Sequence, residues 1–229
     1  ISNATLPRAS YYIKNNKRKF MHLISEIPNF ILWITIPITI GCICLAPNIM
    51  YILGGSEFLE ATEVLQILSL TIIFSPLSGY LQSQVLVSSG KEKIGLNCAI
   101  ITSFLSILLN VILIPKIGVL GPAIVQVISE TSAVSMRYYI AKKRLGYNEI
   151  TFIKKASIEY TFAAILMGGV VMYISNSVNN LFFGFIISAI VGAGTYFIVL
   201  ILMKEKVTRL VLDRIKQRLM KRQEQGGNF

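Results

Sequence analysis

Charge is scarce in this sequence and histidine is nearly absent. Only 14% of its 229 residues are Asp, Glu, Lys or Arg, and His22 is the single histidine. It holds no HExxH, CxxC or phosphate-loop glycine motif, so metal hydrolysis, thiol redox chemistry and P-loop nucleotide chemistry have no residues to carry them. His22 stands near Lys19 without a Ser or Cys partner and reads as a solvated interfacial residue. The three cysteines, Cys42, Cys44 and Cys98, fall inside apolar runs. Their spacing suits neither a disulfide framework nor a zinc site, so they read as small packing residues. An initiator Met and a signal peptide are lacking too, since the chain opens "ISNATLPRAS".

What is present is apolar length. The sequence is 54% hydrophobic, with a mean hydropathy of +0.65. Uncharged runs extend over 27–56, 64–90, 94–114 and 161–203. A bilayer crossing takes about 20 residues, so each of the first three runs holds one helix. The last is divided by the polar break "SNSVNN" into two. A further apolar stretch, "GPAIVQVISETSAVSMRYY" (121–139), carries Glu130 at its centre. The expected spans are 30–52, 64–87, 94–114, 118–140, 157–174 and 181–203. This is an all-α integral membrane protein with six transmembrane helices.

The net charge of +11 raises nucleic acid as a partner, but its distribution excludes it. If the spans alternate sides, 21 of the 22 basic residues fall on one side and only Lys116 on the other. The first loop opposite carries Glu57, Glu60 and Glu63. Such a bias in short loops sets orientation, and both termini are expected in the cytoplasm. The segment 1–26 reads as the end of a preceding helix followed by an amphipathic stretch on the inner surface, and so as a chain that begins mid-protein. The tail 204–229 reads as basic and cytoplasmic. A helix is expected within it from Lys204 to Arg222, resting on anionic headgroups or binding a partner, before a disordered "QEQGGNF".

Prolines punctuate the spans. Pro28 suits a helix start, Pro37 and Pro76 should kink helix interiors, and Pro115 should stop one helix before Gly118 reverses the chain. Ala164-xxx-Gly168 and Gly184-xxx-Ser188-xxx-Gly192 are small-residue faces for close helix packing.

Polar residues line up on three neighbouring spans. At about 100° per residue, Pro122, Gln126, Glu130, Ala133 and Arg137 lie within roughly 40° of Gln126. The second span aligns Thr71, Ser75, Ser78 and Gln82, and the third Ala99, Ser103, Ser106 and Asn110. Ser, Thr and Asn stripes of this kind serve either interhelical hydrogen bonds or a water-accessible cavity. A charge at mid-membrane costs roughly 3 kcal/mol. Glu130 therefore needs water, a partner or a proton, and it is either a cavity residue or a protonated structural carboxyl.

Several strings, taken in order, resemble the C-terminal half of Wzx-type oligosaccharide flippases. They are "LPRAS" (6–10), "LAPNIMYILGGSEF" (45–58), "VLQILSL" (64–70), "QVLVSSGKEK" (84–93) and "LNVILIPKIGVLGPAIVQVISE" (109–130). These flippases belong to the MATE-like superfamily, which includes lipid II flippases and multidrug exporters. One departure is Gly121-Pro122-Ala123 where the family commonly has Gly-Ala-Ala.

The resemblance implies the C-terminal part of a two-lobe MATE-like transporter with alternating access. Residues 27–145 would form a four-helix part of that lobe and 146–203 two further helices, against an N-terminal lobe outside this sequence. The implied substrate is an undecaprenyl-diphosphate-linked sugar repeat unit, moved across the inner membrane for capsule or O-antigen assembly. Membrane lipids and the polysaccharide polymerase machinery are the implied further partners, with no cofactor, metal or enzymatic step. Candidate substrate and cavity residues are Arg8, Ser78, Gln82, Asn110, Gln126, Glu130 and Arg137. Glu130 is also the candidate for ion coupling, and Arg8 and Arg137 contact either diphosphate or lipid phosphate. A multidrug exporter and a membrane scaffold without transport remain as rival readings.

Overall fold

The computed structural model describes residues 2–178, 180–214 and 217. Helix α1 (Ser2–Asn15) ends at Asn16, whose side chain caps the next helix by accepting from Lys19 N at 3.0 Å. Helix α2 (Lys17–Cys44) then runs unbroken through Pro28 and Pro37. The segment 17–26, expected to lie along the inner surface, is one continuous helix with the first apolar span. Phe20 and Ile24 are fully buried, and once Asn16 nucleates the helix, Pro28 is an interior residue and not its beginning.

The outer turn is made by α3 (Ala46–Gly54), with Pro47 in its first turn, and a 3₁₀ segment (Gly55–Ala61). The chain returns through α4 (Thr62–Ser69), α5 (Thr71–Tyr80) and a π-helical segment (Leu81–Val87). Two contacts fix the antiparallel sense. Gln66 Nε2 donates to Ile43 O at 3.3 Å, and Tyr80 OH donates to Ile24 O at 2.5 Å.

Next comes the hairpin of α6 (Glu92–Ile117) and α7 (Leu120–Lys143). Pro115 does not stop α6, which continues two residues further and closes with Gly118 N–H to Ile114 O at 2.9 Å. The reversal belongs to Gly118, whose φ of 58° favours glycine. A Cβ on Gly121 would stand 3.1 Å from the Leu113 carbonyl carbon, so the two backbones touch where the hairpin closes. Pro122 lies in the first turn of α7, where a missing N–H costs nothing.

The last pair is α8 (Lys155–Ser177) and α9 (Leu181–Leu202). α8 runs parallel to α2, since Lys154 Nζ reaches Ser25 O (2.8 Å) at one end and Ser175 Oγ reaches Asn48 Oδ1 (2.9 Å) at the other. α9 returns, with Asn48 Nδ2 on Leu181 O (3.1 Å) and Tyr196 OH on Trp33 O (2.8 Å). The small residues do the expected packing. A Cβ on Gly168 would meet Ile40 of α2 at 2.9 Å, and one on Gly192 would meet Val171 of α8 at 2.6 Å.

Six passes therefore alternate in direction. Five stretches, Lys17–Cys44, Ala46–Val87, Glu92–Ile117, Lys155–Ser177 and Leu181–Leu202, are long and apolar enough to cross a membrane. The sixth pass, α7, is as long but carries Gln126, Glu130 and Arg137. The outward faces of α6, α8 and α9 show Phe104, Val111, Tyr173 and Leu202 to the surroundings, as lipid-facing helices do.

At the end of the bundle where α2 begins, residues 206–214 form a further helix. Its cap is a buried carboxylate. Glu205 accepts from Val207 N (2.9 Å), Thr208 N (2.7 Å) and Tyr160 OH (2.9 Å), and Trp33 Nε1 donates to Thr208 Oγ1 at 3.0 Å. Val207 and Val211 pack on the core. This part of the tail is thus docked on protein through its apolar face, with Lys206 and Arg209 exposed. The rest of the expected tail helix, including Ile215 and Leu219, and the segment "QEQGGNF" lie outside the described residues.

Candidate functional site

The second, third and fourth passes do not pack as a closed trio. α7 packs along both α5 and α6, whereas α6 meets the second pass chiefly at its π segment. α5 and α6 therefore diverge, and the space between them, backed by α7, is a cavity of about 450 Å³. Ser78 faces it from α5, Thr102, Ser103, Ser106 and Ile107 from α6, and Gln126, Ser129, Glu130, Ala133 and Arg137 from α7.

The α7 stripe is thus brought together as the helical period requires, apart from Pro122, which is exposed away from the cavity. Arg137 is the anchor. It is 8% exposed, and its Nη1 donates to Ser78 Oγ across the α5–α7 contact. Glu130, two turns away on the same wall, is half-buried and forms no direct ion pair with it. Opposite charges thus line one cavity without a direct ion pair, and charged residues within membrane spans characteristically face such cavities.

On the second pass only Ser78 of the expected stripe reaches the cavity. Pro76 removes one helical hydrogen bond, and the π segment lengthens the turn, so the 100° step fails from Leu81 onward. Gln82 is rotated onto α6, where its amide lies against Gly95 so closely that a Cβ there would sit 2.1 Å from Oε1. Thr71, at the start of α5, donates back to Leu68 O of α4 (2.6 Å).

On α6 the face is turned slightly from the expected one. Thr102 and Ile107 join Ser103 and Ser106, while Asn110 donates back to Ser106 O at 2.9 Å and stays outside the cavity. Arg8 is exposed on α1 and does not line the cavity. Thr102 and Ser129 escaped sequence reading because a bonded Thr and a lone Ser on an apolar helix carry no pattern of their own. Thr102 is buried and donates to Cys98 O at 3.1 Å. Cys42, Cys44 and Cys98 are free thiols, and His22 is exposed at the start of α2.

Six alternating passes with a polar cleft open between α5 and α6 of an apolar bundle define a multi-pass membrane protein of the transporter class. The chain belongs to the family of the lipid II flippase MurJ, whose sequence profile matches residues 1–192. A solved structure of the lipid II flippase MurJ, in an inward closed conformation, superposes with a TM-score of 0.69 at 22% identity, over 88% of this chain and 43% of that one. The capsular polysaccharide biosynthesis protein CapF of Staphylococcus aureus is 28% identical over 144 residues, which is 62% of this chain and 36% of CapF. The chain thus spans less than half the length of these relatives. The fold and the bacterial membrane setting agree with the resemblance in the sequence.

Proposed function

We propose that this chain forms one lobe of a flippase that moves a lipid-linked sugar across the bacterial inner membrane, without covalent chemistry. The observation that carries the reading is a polar cleft in an apolar bundle with the buried Arg137 on its wall. A diphosphate head needs a cation and the sugars need hydroxyl and amide partners, and this wall offers both. The lipid tail can stay in the bilayer beside it. We read the substrate as an undecaprenyl-diphosphate-linked repeat unit for capsule or O-antigen assembly, a choice favoured by the similarity to CapF, a capsular polysaccharide biosynthesis protein. Membrane lipids and the polymerase that consumes the exported unit are the further partners.

The rival reading is multidrug export, and the cavity wall argues against it. Among the described residues, none of its lining side chains is aromatic and Glu130 is its one acid, whereas apolar cations call for aromatic and acidic walls. Depleting the protein should make the lipid-linked sugar accumulate on the inner leaflet while surface polysaccharide falls. Normal polysaccharide with raised retention of cationic dyes would reverse the assignment.

In this reading the basic ends of the passes face the cytoplasm. Lys17, Arg18, Lys19, Lys91, Lys93, Lys143 and Lys155 are exposed at the same end of the bundle, and Glu57, Glu60 and Glu63 at the other. Reporter fusions after Glu60 and after Asn180 should report the outside, and one after Lys143 the inside. An outside signal at Lys143 would invert the topology.

A further inference from the structure

Arg137 is more than nine-tenths buried, yet only one of its nitrogens has a protein partner among the described residues. Nη1 donates to Ser78 Oγ, and among the described residues Nε is buried without an acceptor and Nη2 has no hydrogen-bond partner. A guanidinium presents five N–H donors in one rigid plane. With Nη1 taken, the remaining Nε–Nη2 edge has the geometry that grips two oxygens of a single oxyanion. Leaving a buried donor unpaired is costly, and the place for the missing acceptor is the cavity that Arg137 lines.

The backbone around Ser78 is irregular on both sides. Pro76 precedes it by two residues, and the π segment starts three residues after it at Leu81. π segments are rare and concentrate at functional sites. Here the two irregularities bracket the one residue of the second pass that faces the cavity.

We propose that Ser78 is a positioning residue that acts through Arg137. By accepting from Nη1 it holds the guanidinium plane so that the Nε–Nη2 edge meets one phosphoryl group of the substrate side-on. The proposal rests on the flippase reading of the cavity and adds which edge of Arg137 binds and what fixes it.

The test is the dissociation constant for farnesyl diphosphate on the purified protein in lipid nanodiscs, with glucuronate as a carboxylate control. Ser78→Ala should weaken diphosphate binding about tenfold, the worth of a hydrogen bond to a charged group, while thermal unfolding shifts little. Ser78→Thr keeps the acceptor and should restore binding. In a double-mutant cycle, Ser78→Ala should cost nothing further once Arg137 is alanine. Multiplicative losses, or parental binding in Ser78→Ala beside a large loss in Arg137→Ala, would overturn the positioning role alone. Parental binding in Arg137→Ala, or tight glucuronate binding with none of the diphosphate, would overturn the diphosphate reading itself.

Discussion

Replacing Arg137 by alanine should abolish surface polysaccharide in cells that depend on this protein, at unchanged protein level. Truncating one partner of a buried, hydrogen-bonded charge pair costs about 2–5 kcal/mol, or roughly 30- to 3,000-fold in affinity at 1.4 kcal/mol per decade. The substitution removes the cation, frees the Ser78 hydroxyl and leaves Glu130 as the sole charge on the cavity wall. Lysine should restore part of the export, because it returns the charge but presents no planar fork. The substituted protein must remain abundant in the membrane for the result to count. Unimpaired export in the alanine variant would return Arg137 to ordinary contact with lipid phosphate, and the cavity would lose its anchor.

The passes were legible because hydropathy at this scale overrides local detail. Runs without charge have no stable place outside the bilayer, whatever their turn residues. Helix starts and stops were less legible. Asn16 begins α2 by a side-chain cap that a reading dominated by the apolar run at Ile27 passes over. Pro115 and Pro28 have the sequence context of helix boundaries, yet both lie within helices, where the membrane and neighbouring helices hold the backbone in place. The site followed the same division. Along α7, which is regular from Leu120 to Lys143, a constant angular step brought Gln126, Glu130, Ala133 and Arg137 to one wall. Along the second pass the same step failed at the π segment and sent Gln82 to Gly95. Arg8, a candidate as one of the cations nearest the polar stripes, stands exposed on α1 and does not line the cavity. The Glu205 node was invisible because Tyr160, which donates to Glu205, and Trp33, which donates to the capping Thr208, come from distant parts of the chain.

Glu130→Gln should leave the protein folded but uncouple transport from the ion gradient. The argument begins with the cost of the residue. A carboxyl two turns from Arg137, half-buried and without a direct ion pair, is not there to neutralise the arginine. It faces the same cavity, so it meets whatever enters. A carboxyl can carry a proton or a small cation in one access state and release it in the other. That requires the states to differ in the water around Glu130 or in the nearness of Arg137's charge, and both change if the cavity opens to alternate sides. Glutamine keeps the shape and the hydrogen bonding while removing the exchangeable charge. Vesicles holding the Glu130→Gln variant should therefore show sugar-lipid translocation that no longer responds to an imposed proton or sodium gradient. Glu130→Asp, with the carboxyl withdrawn by one methylene, should keep part of the response. The measurement is translocation rate against gradient for the three proteins at matched amounts. A Gln variant that follows the gradient as the parent does would make Glu130 a polar helix contact, and coupling would have to be sought elsewhere in the protein.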